Sequence, residues 1–335
     1  MSLLTQASLV LTPTSYKANK LYSVVPSSGN GDMTTTRATT ATRVNSSGLV
    51  ENVATGIPRV DYTNGVANIL LEPQRTNRLL NSATVVTQTI STTGVACTVS
   101  FYGTGTITLS GTFSGSLVGT GALNRVSLTF TPTAGSLVLT VSGTCTNGQL
   151  ETGSYATSYI PTVASTVTRN LDDISKTGVS TDILNPSEGT FYVEIAALTN
   201  DLTARIISLN DGTDYNNIQI QFSSASNIIR LDTYGQTGVG TTTNFRSAVT
   251  VSNTTTFHKC LIKWGAGGVF GYVDGVKYTL GYATGTIGGS GIPTALNRID
   301  FRQHWGGNPF YGKCKGMQIY KTALTDAECA SLTTL

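Results

Sequence analysis

The chain has 335 residues, a formal net charge of +3 and only 12% charged residues, about half the share near 25% usual in soluble domains. Threonine fills the gap with 57 copies, beside 36 glycines and 9 prolines; it is β-branched and favours pleated, half-buried surface, so the composition reads as β-sheet joined by Gly-rich turns. Recurrent apolar residues at low net charge exclude a disordered chain, no run of eighteen apolar residues exists to span a membrane as a helix, and the length fits two or three domains.

Residues 1–82 are poor in apolar side chains, and Ser27–Gly31 and Thr34–Thr42 are polar and of low complexity. Alone, such a segment buries too little surface to offset its chain entropy. It therefore calls for a partner: another domain, further copies of the chain, or a larger particle. The start, Met1-Ser2-Leu3-Leu4-Thr5-Gln6, lacks the basic and apolar regions of a signal peptide. In residues 83–163, Thr106–Leu109, Arg125–Phe130 and Leu137–Val141 read as strands of a small antiparallel sandwich.

From residue 164 the pattern sharpens. Thr190–Ile195 and Ile206–Leu209 open the series, and Asn217-Ile218-Gln219-Ile220-Gln221-Phe222 alternates apolar and polar residues, the period of a strand with one buried face. Ile228–Tyr234, His258–Trp264, Phe270–Leu280, Arg298–Arg302 and Cys314–Tyr320 follow. Asp274-Gly275 between apolar residues is a hairpin turn, and Asp211-Gly212 plays a similar part. Thr325-Asp326-Ala327-Glu328 is a capping box opening one terminal helix. Many short strands with almost no helix predict an all-β fold of tandem antiparallel sandwiches.

Two sets of blocks carry a resemblance. Trp264…Tyr272-Val273-Asp274-Gly275…Phe310-Tyr311-Gly312…Ile319-Tyr320…Ala323-Leu324-Thr325-Asp326-Ala327-Glu328, with Ser208-Leu209-Asn210-Asp211-Gly212 upstream, resembles concanavalin A-like (laminin G-like) lectin and glucanase sandwiches over about 185–333. Thr36-Arg37…Arg43-Val44-Asn45, Pro58-Arg59-Val60-Asp61-Tyr62, Leu71-Glu72-Pro73-Gln74-Arg75-Thr76-Asn77, Gly148-Gln149-Leu150-Glu151…Ala156-Thr157-Ser158-Tyr159-Ile160-Pro161-Thr162 and Thr168-Arg169-Asn170 resemble phage structural proteins. The resemblance implies a head fibre, head spike or tail fibre, commonly a homotrimer, assembled in the host cytoplasm into the virion. It divides the chain into a virion-attachment or oligomerisation region at 1–82, a small jelly-roll-like, carbohydrate-binding-module-like sandwich at 83–163, and a concanavalin A-like lectin domain at 164–335.

Chemistry is thinly represented. Residues 1–163 carry eight Lys/Arg and five Asp/Glu, and 164–335 carry thirteen of each, so no basic patch is present to neutralise nucleic acid. Cys97, Cys145, Cys260, Cys314 and Cys329 form no C-x-x-C pair, against zinc, and their odd number predicts buried free thiols. The glucanase pattern Glu-x-Asp-x-x-Glu is absent, Glu188 precedes the strand holding Glu194, and Asp172 and Asp173 are adjacent and point to opposite sides. Retaining glycosidases need two carboxylates about 5 Å apart, so no catalysis is expected, with a virion polysaccharide hydrolase as the alternative. His258 reads as a packed edge residue. Gly235-Gln236-Thr237-Gly238-Val239-Gly240 reads as a loop and not as a phosphate cradle, because no helix follows.

Two binding sites are worth naming. Asp211, Asp214, Asn216 and Asn217 offer hard oxygen ligands to calcium, although turn chemistry accounts for the same residues; no cofactor is expected. Gln303-His304-Trp305-Gly306-Gly307-Asn308-Pro309-Phe310-Tyr311 combines an aromatic on a Gly-rich loop with polar groups, as a sugar site does. His304, Trp305, Asn308 and Tyr311 are the glycan-binding candidates, with Trp305 in an intersubunit contact as the competing reading. Tyr215 and Tyr234 are weaker additions that ordinary core packing would also explain. The expected function is decoration of the virion and binding of a host surface glycan, with purely architectural decoration as a further alternative. The expected partners are the chain itself, other virion proteins and that glycan, without nucleic acid or membrane insertion.

Overall fold

The computed structural model describes residues 3–238, 241–285 and 290–335. It is nearly all β and falls into two compact units. One comprises residues to Thr36, Ala67–Leu71 and Asp173–Leu335; the other comprises Arg37–Val66 and Glu72–Asp172.

The first unit is a two-sheet antiparallel sandwich. Its first sheet runs in the order Lys20–Val25, Leu9–Lys17, Gly312–Tyr320, Gly189–Ala197, His258–Gly265, Gly268–Val273, Val276–Thr279. Asn68–Leu71 joins Gly312–Tyr320 at its start. The second sheet runs Met33–Thr36, Asp173–Thr177, Arg298–Asp300, Arg205–Asn210, Asn217–Phe222, Ile228–Gly238, Thr241–Thr250, Gly281–Gly285. A short pairing of Leu21 with Met33 links the two sheets.

Alternation places Phe191, Val193, Ile195, Ile207, Leu209, Ile218, Ile220, Leu231, Ile262 and Trp264 in the core between the sheets. The outer face of the first sheet is apolar as well. Tyr192, Leu261, Tyr272 and Tyr320 pack there with Leu324 and Cys329, under the terminal helix Asp326–Thr333. That helix starts with the expected capping box, Thr325 accepting from the Glu328 amide and Glu328 from the Thr325 amide. Asp274 (φ 52) and Gly275 (φ 84) form the tight turn, with Val273 opposite Val276.

The three-part division of the sequence differs from these units. Residues 1–82 are not one region: the sparse apolar residues Leu9, Leu11, Leu21, Met33, Ile69 and Leu71 all enter the core of the concanavalin A-like sandwich. The partner this segment lacks in its own sequence is a domain of the same chain, with Leu9 paired to Ile319. Gly235–Gly238 is strand rather than loop, paired to Thr241–Thr243; Val239 and Gly240 lie outside the described residues.

The second unit contains the expected small sandwich. A three-stranded sheet (Gly121–Phe130, Cys97–Gly103, Cys145–Thr152) faces a four-stranded one (Gly115–Val118, Thr106–Gly111, Ala134–Ser142, Gln88–Thr93) over Val99, Phe101, Ile107, Leu109, Leu137, Leu139 and Leu150. Two separate two-stranded sheets complete the unit, the hairpin Ala41–Val44 with Val50–Val53 and the long-range pair Arg75–Asn77 with Val167–Arg169.

The blocks that resemble phage proteins meet in this unit as a buried polar network. Arg59 donates to Glu72 (2.7 Å) and to Asp172; Arg37 donates to Asp172 (2.9 Å), and Arg169 forms an ion pair with Glu72 (2.7 Å). The Ser158 amide and hydroxyl donate to Glu72 (2.8 and 2.6 Å). Beside it, Gln149 and Thr157 bind Glu151. Burial works against charge on Glu72, but Arg169 and Arg59 outweigh it and hold the carboxyl far below the usual carboxylate range. All five cysteines are buried and unpaired; burial pushes Cys314 up to about 12, so its thiolate is scarce at neutral pH.

Candidate functional site

The outer face of the second sheet is lined by polar side chains. Because Leu209, Ile218, Leu231 and Ile299 point inward, their alternates point outward and align across strands. One row reads Asp300, Ser208, Gln219, Asp232, Arg246 and the next Arg298, Asn210, Asn217, Tyr234, Asn244. The short side chains of these rows are buried. Four arginines reach solvent above buried carboxylates: Arg230 (24% exposed) and Arg246 (31%) over Asp232, Arg298 (29%) over Asp300, and Arg302 (31%) over Asp173.

Asp232 is the best-held of these carboxylates, accepting from Gln221 (2.6 Å), Arg230 (2.8 Å) and Arg246 (2.5 Å). Such charge-assisted bonds fix the guanidinium planes. Burial pushes Asp173 above the usual carboxylate range; Arg302 opposes the shift and nearby Asp300 adds to it.

The loop between Arg302 and Pro309 is tied to this face at three points. Ser208 donates to the Arg302 carbonyl (2.7 Å), His304 Nε2 meets Asp214 (2.7 Å), and the Ile206 amide donates to the Asn308 carbonyl (3.1 Å). Trp305 stands out from it, 61% exposed. The indole lies across Gly307, where an added Cβ would fall 1.8 Å from Trp305 Cζ3. Gly306 (φ 89) makes the turn, and the His304 ring abuts Trp305 edge-on at 6.4 Å. The ring is therefore braced on one side, with most of its surface in solvent.

The glycan-binding candidates of the sequence divide accordingly. His304, Trp305 and Asn308 share the loop, where Asn308 donates to Gln303 (2.9 Å). Tyr215, half-buried, sits beside Asp214 in the neighbouring loop, and Tyr234 lies on the sheet face, its hydroxyl accepting from Arg246 at 3.5 Å. Tyr311 departs from the group: it follows Phe310, which is buried in the core, and leads into the first sheet.

The calcium residues are engaged elsewhere. Both Asp211 oxygens accept, one from the Thr213 amide and hydroxyl and the other from the Asn216 amide nitrogen (2.7 Å). Asn216 Oδ1 accepts from the Thr294 amide (2.7 Å), and Asp214 faces His304. Among the described residues no cluster of three or more His, Cys, Asp or Glu could hold a metal. His258 is packed, with Nδ1 against Asp274 (2.6 Å); Glu194 pairs with Lys315 (3.0 Å).

Sequence reasoning missed Arg230, Asp232, Arg246, Arg298 and Asp300. Their signal was available, since they occupy the polar phase of alternating strands.

Residues 174–330 match the family described as the concanavalin A-like lectin/glucanases superfamily, and this stretch is a concanavalin A-like domain. No curated protein matches the chain. Among solved structures, it is similar to the leech intramolecular trans-sialidase with 2,7-anhydro-Neu5Ac (16% identity, TM-score 0.36, 45% of this chain and 24% of that one). It is also similar to the CBM40 of Ruminococcus gnavus IT-sialidase bound to α2,3-sialyllactose (16%, 0.34, 44% and 83%) and to NanB sialidase of Streptococcus pneumoniae (13%, 0.37, 47% and 26%). The chain spans about a quarter of the leech enzyme, and no substrate is transferred from likenesses this distant.

Proposed function

We propose that the chain is a non-catalytic glycan-binding subunit, taking a saccharide on the outer face of its second sheet with Trp305 as the stacking platform. The observation that carries this reading is the braced, 61% exposed indole on a loop tied to a sheet face whose guanidinium groups reach solvent. An aromatic face with fixed polar groups is what a sugar ring requires. The phage-like blocks of the sequence support a place on a virion, as a head fibre, spike or tail fibre that binds the host surface, and a homotrimeric state. Attachment to other virion proteins would then use folded surfaces, since residues 9–36 are strands of the sandwich.

Calorimetric titration of Trp305→Ala against a host-surface glycan that the native chain binds tests the site. The expected loss is at least about tenfold in Kd, or 1.4 kcal/mol. Unchanged binding with unchanged oligomer mass by light scattering would instead leave Trp305 without a role in either ligand binding or assembly.

A second reading, hydrolysis, rests on Asp173 and Asp300. Ser175 pairs with Asp300, so the two carboxylates are diagonal neighbours on one face, roughly 7–8 Å apart at Cβ. Release of reducing ends from a bound polysaccharide, abolished in Asp173→Asn, would establish it and displace the non-catalytic reading.

A further inference from the structure

The sheet face has a chemical polarity that the glycan reading does not use. Each of its carboxylates lies beneath its arginine: Asp232 and Asp300 are fully buried, whereas Arg230, Arg246 and Arg298 are a quarter to a third exposed. On the strands themselves, an approaching ligand meets the N–H edges of guanidinium groups while the carboxylates beneath are turned into the protein; Asp214, on the flanking loop against His304, stays exposed. A guanidinium has five donors and no acceptor, and each carboxylate here engages one or two of them.

The arginines form two anchors. Asp300 and Asp232 are separated by the strands of Ser208 and Gln219, three strand spacings, or roughly 14 Å at about 4.8 Å each. Between and beside the anchors, polar atoms remain unanswered. Asn244 is 2% exposed, and among the described residues both its amide atoms, Asn217 Oδ1, Arg230 Nε and Asp300 Oδ1 lack a hydrogen-bond partner. Buried polar groups of this kind cost free energy unless something satisfies them.

We infer that this face selects an acidic saccharide, one carrying carboxylate or sulfate groups, with Arg230 and Arg246 at one anchor and Arg298 at the other. This rests on the glycan reading above and adds the charge of the ligand to it. Both anion types suit the planar fork of arginine, which pairs with them through two parallel bonds.

The test uses the full chain and ligand pairs that differ only in charge: a short oligogalacturonate against its methyl ester, and dextran sulfate against dextran, each by calorimetry at low and at high salt. The expected result is at least about tenfold tighter binding of one acidic member than of its neutral counterpart, reduced by salt and lost in Arg246→Gln/Arg298→Gln with the oligomer mass and thermal transition retained. Preference for carboxylate or sulfate identifies which anion the anchors fit. Equal binding of acidic and neutral members overturns the inference and leaves the glycan reading intact. Acidic binding that survives in the folded double variant also overturns it, as non-specific attraction. If neither these ligands nor a panel of neutral host glycans bind, the glycan reading falls, and this inference with it. If the double variant fails to fold, the salt dependence and the charged-against-neutral ratio of the native chain still decide.

Discussion

The two units use the same ion pair in opposite ways. In the second unit Arg37, Arg59 and Arg169 and their carboxylates are sealed, with arginine side chains at 0% exposure. In the first, the carboxylates are sealed but the arginines open to solvent. A closed set serves the fold, because its charges are paired internally and removing one partner strands a buried charge. A half-open set keeps donors in reserve. The difference is one of burial rather than residue type, and burial separates sealed from solvent-facing arginine here.

The largest expected effect comes from breaking the closed set. Arg59→Ala should destabilise the second unit by about 3–5 kcal/mol, read as a lowered midpoint in urea unfolding, because Glu72 and Asp172 both lose a partner. Acid probes the same set. Glu72 has a folded-state pKa depressed below its unfolded value near 4.3, so its contribution is complete above that pH and declines as pH falls through and below it. Asp173 in the first unit is raised, so its contribution has the opposite sign: it is present at low pH and lost as pH rises through the folded value. Thermal unfolding between neutral pH and pH 3 should therefore show the transition of the second unit falling first. Two transitions that fall together would remove the contrast.

Opening the half-open set should cost much less. Arg246→Gln is expected to change stability by only about 1 kcal/mol, since Asp232 keeps Arg230 and Gln221. A loss as large as that of Arg59→Ala would mean that the sheet face is structural. The smallest stability effect belongs to Gly307→Ala, where the new methyl evicts an exposed ring. We expect an unfolding midpoint near that of the native chain, with glycan affinity reduced as in Trp305→Ala.

Much of the first unit from residue 190 onward was legible in the sequence because its elements obey local rules. Asn217–Phe222 alternates strictly, Asp274-Gly275 fixes a register, and Thr325 and Glu328 announce the helix. The first 36 residues were not legible as strands of that sandwich, because their partners lie up to 310 positions away, as between Leu9 and Ile319. Arg37, Arg59 and Arg169 stood out only as members of the phage-like blocks, since charge alone gives no sign of burial and only assembly of separated segments supplies it. At the candidate site, Trp305 on its Gly-Gly loop was visible. The arginines opposite it were not singled out, because their importance depends on which strands neighbour one another.

The pairing of Leu9–Leu11 with Met317–Ile319 also bears on synthesis. The second unit lies between these segments in the chain, so all of it leaves the ribosome before the first strand meets its neighbour. The small sandwich can close on its own contacts early, whereas the lectin-like one waits with an apolar edge uncovered until the last strand appears. A chain stopped before residue 312 would leave Leu9–Lys17 paired only with Lys20–Val25, its other edge open, the kind of uncovered edge through which β proteins aggregate.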